Sequence, residues 1–216
     1  MITEERISSY IRSLERPRPE FLEEIRKEAV KDEVPIIRVE TEAFLAFLTD
    51  FVKPMSILEV GCAVGYSALL MASHQPAGGR VTTMEKYEPR IPAARANFEK
   101  AGMTDRITLL EGDATEILAS LTGPYDMIFM DAAKAQYINW LPDVLRLLSP
   151  EGILISDNVL QDGDVLESRY AVTRRDRTIH ARMREYLQEL KSREDLSTAV
   201  LPVGDGVAVT TRVKNA

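Results

Sequence analysis

Two periodicities divide the chain. Up to about residue 52 the apolar positions follow helical spacing: Ile7, Ile11 and Leu14 share one face, and after Pro17 and Pro19 the spacing resumes with Phe21, Leu22, Ile25 and Ala29. Val34 and Pro35 interrupt it, and Phe44, Leu45, Phe47 and Leu48 then sit on a third helix. From Ile57 the pattern changes to short apolar runs: "ILEV" (57–60), "RVTTM" (80–84), "ITLL" (107–110), "DMIFM" (126–130), "GILIS" (152–156), "TAVL" (198–201) and "GVAVTT" (206–211). Helical segments separate the first five. Strands that are apolar on both faces and joined through helices predict a parallel sheet covered on both sides. Only "PVGD" separates the last two runs, too little for a crossover, so they form an antiparallel hairpin. The expected architecture is α/β in a single domain over 1–216, with N-terminal helices over 1–52 and the sheet-bearing core over 53–216. No internal repeat, low-complexity tract or linker divides it.

Composition narrows the setting. With 216 residues and 45% apolar content, the chain can bury a full core without disulfides or metal staples. Cys62 is the single cysteine, which excludes an internal disulfide framework. The first thirty residues are charged throughout, and no run approaches the ~18 uninterrupted apolar residues of a membrane span. These features point to a cytoplasmic chain with no membrane contact. A net charge of −7 weighs against nonspecific nucleic-acid binding but leaves room for a local basic patch.

In doubly wound sheets ligands bind beyond the carboxyl ends of the strands, so the residues that follow each run carry the candidate chemistry. "EVGCAVGYSALLMA" places Gly61 and Gly65 in the first βα turn, where glycines permit a tight turn and let a ligand approach backbone N–H groups. This GxxxG differs from the GxGxxG of dinucleotide folds, and the two glycines could serve the turn alone. Glu85 follows the second strand, where a carboxylate can accept from both hydroxyls of a ribose or simply pair with Lys86. Asp113, in "EGDATEIL", could receive an adenine amino group, cap the helix starting near Ala114, or do both.

The fourth and fifth strands carry the sharper signal. "YDMIFMDAAKAQY" ends its strand on Asp131, and "GILISDN" ends its strand on Asp157 and Asn158. Neighbouring parallel strands lie about 5 Å apart, so these side chains can converge. Two carboxylates and an amide oxygen make a hard donor set suited to Mg²⁺, Mn²⁺ or Ca²⁺. The plainer reading is that they cap the elements that follow. Three protein ligands would leave positions for two vicinal substrate oxygens, and Lys134, three residues after Asp131, could take a proton or steady an oxyanion.

Together "EVGCAVGYSA", the acid after the second strand, "GDA", "DAAKAQY" and "SDNVL" resemble the cation-dependent class I O-methyltransferases, relatives of the catechol and caffeoyl-CoA enzymes, over about residues 35 to 211. The resemblance implies a Rossmann-like methyltransferase fold with a seven-stranded, mostly parallel sheet. It implies S-adenosyl-L-methionine as cofactor, held by Glu59, Gly61, Gly65, Tyr66, Ser67, Glu85, Asp113, Ala114 and Asp131. It further implies Mg²⁺ on Asp131, Asp157 and Asn158, Lys134 as base, and a homodimer. Within the family, "RPRPE", "VPI", "DNVLQDG" and "PVGDGVAV" look most like bacterial tRNA 5-hydroxyuridine methyltransferases, whose base presents vicinal oxygens as a catechol does.

The segment from Arg169 to Arg184 fits a tRNA substrate. It holds six arginines, among them Arg174, Arg175 and Arg177, against one acid, Asp176. Such a cluster could grip phosphates, or it could be a solvated face pairing with Glu185 and Glu189. Tyr137 and Trp140 could wall the substrate pocket or pack in the core. Three other readings remain open from the residues: a small-molecule catechol or phenylpropanoid O-methyltransferase, a nicotinamide-dependent oxidoreductase, and a catalytically silent RNA-binding module.

Overall fold

The computed structural model describes residues 4–168 and 170–213. Three helices come first, α1 (Glu5–Ser13), α2 (Glu20–Lys31) and α3 (Val39–Val52), broken at the prolines the sequence supplies. Then β1 (Ser56–Val60), α4 (Tyr66–His74), β2 (Arg80–Glu85), α5 (Ile91–Lys100), β3 (Ile107–Glu111), α6 (Ala114–Ser120) and β4 (Tyr125–Met130) alternate. They are followed by α7 (Tyr137–Leu147), β5 (Leu148–Ser156), α8 (Arg177–Ser192), β6 (Leu196–Leu201) and β7 (Val207–Arg212).

The seven strands lie in the order β3-β2-β1-β4-β5-β7-β6. The first five pair in parallel, and β7 runs antiparallel to both β5 and β6. All seven expected runs are strands, and the closing hairpin is present. The order reverses between β1 and β4, and a cleft for ligands opens at that point beyond the carboxyl ends.

Each face of the sheet has its own core. On one, Leu45, Ile57, Leu69, Met71 and Phe129 pack beneath α2, α3, α4 and α5. On the other, Leu58, Ile128, Met130, Leu141, Leu154 and Tyr186 pack beneath α6, α7 and α8. Consecutive strand residues therefore bury toward opposite helical layers, which is why the central runs read as continuous rather than alternating hydrophobics. Helix α4 is buried at every position from Tyr66 to Ala72. Its sequence, apolar there except for Ser67, follows from its place between the sheet and the N-terminal helices.

One boundary differs from expectation. The fifth apolar run begins at Gly152, but the strand begins at Leu148, which pairs with Tyr125 before the register shifts to Met127 opposite Ile153. Pro150, Glu151 and Gly152 hide this extension because it lies at the partly exposed amino end of the sheet, where no apolar run is required.

Candidate active site

Met130 pairs with Ser156 across neighbouring parallel strands, and each strand ends there. The next residues, Asp131 and Asp157, therefore leave the sheet side by side, with backbones about 5 Å apart. The ladder continues into them: Asp131 N donates to Val60 O at 3.0 Å, and Asp157 N donates to Met130 O at 2.9 Å. Gly61, at φ +104°, passes so close that a Cβ there would lie 2.4 Å from Asp131 O. A side chain at that position would displace the carboxylate-bearing backbone.

Both carboxylates are sparsely neutralised. Asp157 is 1% exposed, and its Oδ1 accepts from the adjacent Asn158 N at 2.8 Å. Burial first, and then the charge of Asp131, push its carboxyl well above the ordinary range. Lys134 sits on a short 3₁₀ turn and donates from Nζ to Asp131 Oδ1 at 2.7 Å. Among the described residues Lys134 is thus the one cation in direct contact with the pair, while the Arg38 guanidinium, committed to Asp162, acts on Asp157 only through space. Asn158 adopts a left-handed conformation, φ 56°, and lines the same cleft. Two carboxylates and an amide oxygen fit a hard divalent cation, which would supply the missing positive charge. Among the described residues no group of three or more His, Cys, Asp or Glu is arranged to hold a metal, so the amide is an essential part of the candidate set.

The cleft that contains this trio has a volume of about 540 Å³, within the ordinary range for a small-molecule site. Its other end is built around Glu85. That carboxylate accepts from Ala63 N at 2.7 Å in the glycine turn, and from Lys86 N at 2.9 Å and Tyr87 N at 2.7 Å. It therefore anchors the β1–α4 turn to the end of β2, and still has lone pairs for a ligand's hydroxyls. Asp113 caps α6 by accepting from Thr115 N at 2.9 Å, and also receives Lys86 Nζ at 2.8 Å. The Lys86 bond, with the cap second, holds the Asp113 carboxyl down at about 2. Lys86 thus pairs with Asp113 and not with Glu85.

Known proteins resemble this chain in sequence and fold. The O-methyltransferase family profile matches residues 9–213. The chain belongs to the O-methyltransferase family. A caffeoyl-CoA O-methyltransferase from Populus trichocarpa is 30% identical over 209 residues, 91% of this chain and 83% of its own length. A catechol O-methyltransferase from Niastella koreensis is 40% identical over 129 residues, 57% of this chain. That match spans 58% of the catechol relative's own length. In three dimensions the S-adenosylhomocysteine-bound methyltransferase PaMTH1 from Podospora anserina superposes with a TM-score of 0.88 at 28% identity, covering 97% of this chain and 94% of that one. The resemblance carried by the "DAAK" and "SDN" motifs holds, and the Rossmann-like methyltransferase fold with it.

In this member of the family, Gly61, Tyr66, Ser67, Glu85, Asp113, Ala114, Asp131, Lys134, Asp157 and Asn158 all line one cleft. Gly65, at φ +84°, shapes the turn from behind, and a Cβ there would strike the Phe98 ring at 2.4 Å. Glu59 does not reach the cleft surface. It is fully buried beneath it, where Thr83 Oγ1 donates to Glu59 Oε2 and Oε1 has no partner. Burial pushes its carboxyl up to about 7 against the opposing influence of the nearby Ser67 and Thr83 hydroxyls.

Tyr137 is not a pocket wall. It is fully buried, its hydroxyl donates to Met130 O at 2.8 Å, and its ring packs edge-on against Tyr186. An aromatic at the start of α7 faces back onto β4, so it braces the strand that ends in Asp131. Trp140, one turn on, does line the cleft and donates from Nε1 to Thr115 Oγ1 at 3.0 Å.

Among the described residues, the arginine segment does not form the self-neutralised face that pairing with Glu185 and Glu189 would give. Arg182 bonds Asn139 Oδ1, Arg184 bonds Val165 O, and Glu189 pairs with Arg193. Arg174 and Arg175 are exposed, and Arg177 lies over the Tyr170 ring at 5.9 Å. Arg169 lies outside the described residues.

Pro35, Ile36, Ile37 and Arg38 also line the cleft. They come from the approach to α3, far from any strand end. The strand-end rule does not reach them: Pro35 and Ile36 enter only through the "VPI" likeness and the helix break, and Ile37 and Arg38 carry no local sign.

Proposed function

We propose that this chain transfers a methyl group from S-adenosylmethionine to one of two vicinal oxygens on its acceptor, assisted by Mg²⁺, with Mn²⁺ or Ca²⁺ as the other ions its donor set suits. The observation that carries this reading is the emergence of Asp131 and Asp157 from paired strand ends, with Asn158, in the cleft that also holds Glu85 and Asp113. The S-adenosylhomocysteine-bound relative supports the cofactor.

The residues divide the work between them. Gly61, Tyr66, Ser67 and Ala114 shape the cofactor's bed, Gly65 forms its turn, and Glu59 supports it from beneath. Glu85 accepts from the ribose hydroxyls through its remaining lone pairs, and Asp113 takes the adenine amino group while still capping α6. Asp131, Asp157 and Asn158 hold the cation, which when bound lowers the pKa of an acceptor hydroxyl. Lys134, as the neutral amine, takes the hydroxyl proton and becomes the ammonium, and Asp131 keeps its Nζ in place beside the reacting oxygen. The cofactor supplies an electrophilic methyl on a sulfonium centre. Positioning and charge neutralisation provide most of the rate.

Relatives named for catechol and caffeoyl-CoA favour a small-molecule catechol as acceptor. One observation favours a second reading, the 5-hydroxyl of 5-hydroxyuridine in tRNA: Arg174 and Arg175 stand exposed with no carboxylate partner among the described residues. The stacked, exposed Phe47 and Phe51 on α3 support a homodimer. A cytoplasmic setting completes the reading, supported by a single buried cysteine and no disulfide need. No helix of the described residues is long and apolar enough to cross a membrane.

The test is incubation with S-adenosylmethionine and Mg²⁺, separately with a catechol and with tRNA carrying 5-hydroxyuridine, followed by mass spectrometry of the products. A one-methyl gain abolished by EDTA on either acceptor supports the chemistry and identifies the substrate. No gain on both, or gain unaffected by EDTA, overturns it.

A further inference from the structure

The loop that carries Asn158 is conformationally unusual. Asn158, Gln161 and Asp162 have φ of 56°, 50° and 53°, and Gly163 has 100°. Three non-glycine residues in the left-handed region within five positions persist only where surrounding contacts over-determine them. Those contacts come from two places distant in sequence. The turn between β6 and β7 supplies a seat: Val159 N donates to Gly206 O at 2.9 Å, Leu160 N donates to Asp205 O at 3.1 Å, and Asp162 N donates to Asp205 Oδ1. The seat admits no side chain at Gly206, where a Cβ would lie 2.4 Å from Leu160 Cγ and 2.8 Å from Leu160 N.

The second contact comes from the N-terminal helices. Arg38, at the start of α3, grips Asp162 with both arms, Nη1 to Oδ1 at 3.0 Å and Nη2 to Oδ2 at 2.7 Å, and reaches Gly204 O at 3.5 Å. A bidentate guanidinium fixes the orientation of a carboxylate as well as its distance. Arg38 also lines the cleft beside Asp157 and Asn158, so the clamp stands at the cation site's edge.

We propose that Arg38 and Asp205 are positioning residues of the cation site, holding residues 158–163 in the left-handed course that presents Asn158 beside Asp157. The inference rests on the assignment of Asp131, Asp157 and Asn158 as cation ligands. It also accounts for the "PVGDGVAV" stretch, in which Gly204 and Gly206 keep the turn close and Asp205 secures the loop. Outer contacts of this kind typically govern metal affinity by tenfold or more without touching the metal.

The experiment is Mn²⁺ titration followed by electron paramagnetic resonance, with S-adenosylhomocysteine present, on the native chain and on Arg38→Ala, Asp205→Ala and Asp205→Asn. S-adenosylhomocysteine affinity by calorimetry and melting temperature are measured in parallel. Weakening of Mn²⁺ binding by about tenfold or more is expected for both alanine variants, with Asp205→Asn, which keeps an acceptor oxygen, within about threefold of native. Cofactor-product affinity should stay within about twofold in all three, because these contacts secure the Asn158 loop and not the Glu85 end of the cleft. If Asp205→Ala does not fold, Arg38→Ala and Asp162→Ala carry the test, since both native side chains are at least a third exposed. Native Mn²⁺ binding that the variants share unchanged overturns this proposal and leaves the cation assignment standing. Equal losses of cofactor-product affinity and melting temperature also overturn it, by reducing the clamp to general support. No Mn²⁺ binding by the native chain overturns the cation assignment and this inference together.

Discussion

Lys134 Nζ lies 2.7 Å from Asp131 Oδ1, and the two side chains are similarly shielded from solvent, at 23% and 22% exposure. The contact joins the residue that would take a proton to one that would hold the cation. It follows from chain geometry: the short turn after β4 brings a residue three positions on back over the strand end. Replacing Lys134 by Met removes the proton acceptor while keeping an unbranched chain of similar length. A loss of kcat of about 10²- to 10⁴-fold is expected, the usual contribution of a positioned acid or base, with S-adenosylhomocysteine affinity little changed. Lys134→Arg keeps the charge but cannot serve as a base near neutral pH, so it should be nearly as slow. Steady-state kinetics on the accepted substrate decide this. Activity in Lys134→Met within about threefold of native would remove Lys134 from the chemistry.

Glu59 makes stability depend on pH in a defined direction. Burial raises its folded-state pKa to about 7 from an ordinary value of 4.5. Between those values the folded chain holds a proton that the unfolded chain has released, so stability declines as pH rises through the window. The decline attributable to this one group is about 3 kcal/mol between pH 4.5 and 7. Glu59→Gln keeps the acceptor for Thr83 and cannot ionise. Urea unfolding of the two proteins across pH 4.5 to 7.5 should therefore show the native chain losing ground to the variant as pH rises. Parallel curves would show that Glu59 does not take up a proton on folding.

The glycine turn nearest the chemistry differs in tolerance from an ordinary surface turn. At Gly61 a Cβ meets a peptide oxygen at 2.4 Å with φ at +104°, whereas Gly102, at φ +65°, has nothing within 4 Å. Gly102→Ala should cost about 1 kcal/mol of left-handed strain, a fall of roughly 2–4 °C in melting temperature for a domain of this size. Gly61→Ala adds an overlap that can be relieved only by moving Asp131. It should cost about 3 kcal/mol or more and weaken Mn²⁺ binding as well. Calorimetric melting of both variants, with Mn²⁺ titration, checks the contrast. Equal shifts would mean that the backbone at Asp131 yields readily.

Strand ends were the legible part of the site. Each of Glu85, Asp113, Asp131, Asp157 and Asn158 closely follows an apolar run, and the parallel topology that the runs imply is what gathers them. Glu59 and Tyr137 mark the limit of that reasoning. The family resemblance put Glu59, and position along the chain put Tyr137, near the site, but side-chain direction puts both beneath it. A strand's residues point to alternate faces and α7 turns its first aromatic inward, and neither is fixed until the helices have packed. Arg38 was illegible for a different reason. Its partners, Asp162 and Gly204, lie more than a hundred residues away, and no local pattern announces a contact made only when the N-terminal helices close over the sheet.

The two substrate readings make opposite demands on Arg174 and Arg175. Both are exposed, and neither has a carboxylate partner among the described residues, so reversing their charge should cost little stability. A tRNA acceptor would lose favourable phosphate contacts and meet two new repulsions, whereas a neutral catechol has no charge to feel them. The variant Arg174→Glu/Arg175→Glu should then lower methylation of tRNA by about tenfold or more, chiefly through KM, and lower methylation of a catechol far less. Salt gives an independent reading of the same contacts. Raising ionic strength from about 50 to about 200 mM should weaken the native enzyme's tRNA binding steeply and the variant's more shallowly, by about two phosphate contacts in the slope of log affinity against log salt. Equal salt slopes, with tRNA methylation intact, would take the arginine pair out of substrate recognition and leave the small catechol as the acceptor this cleft is built for.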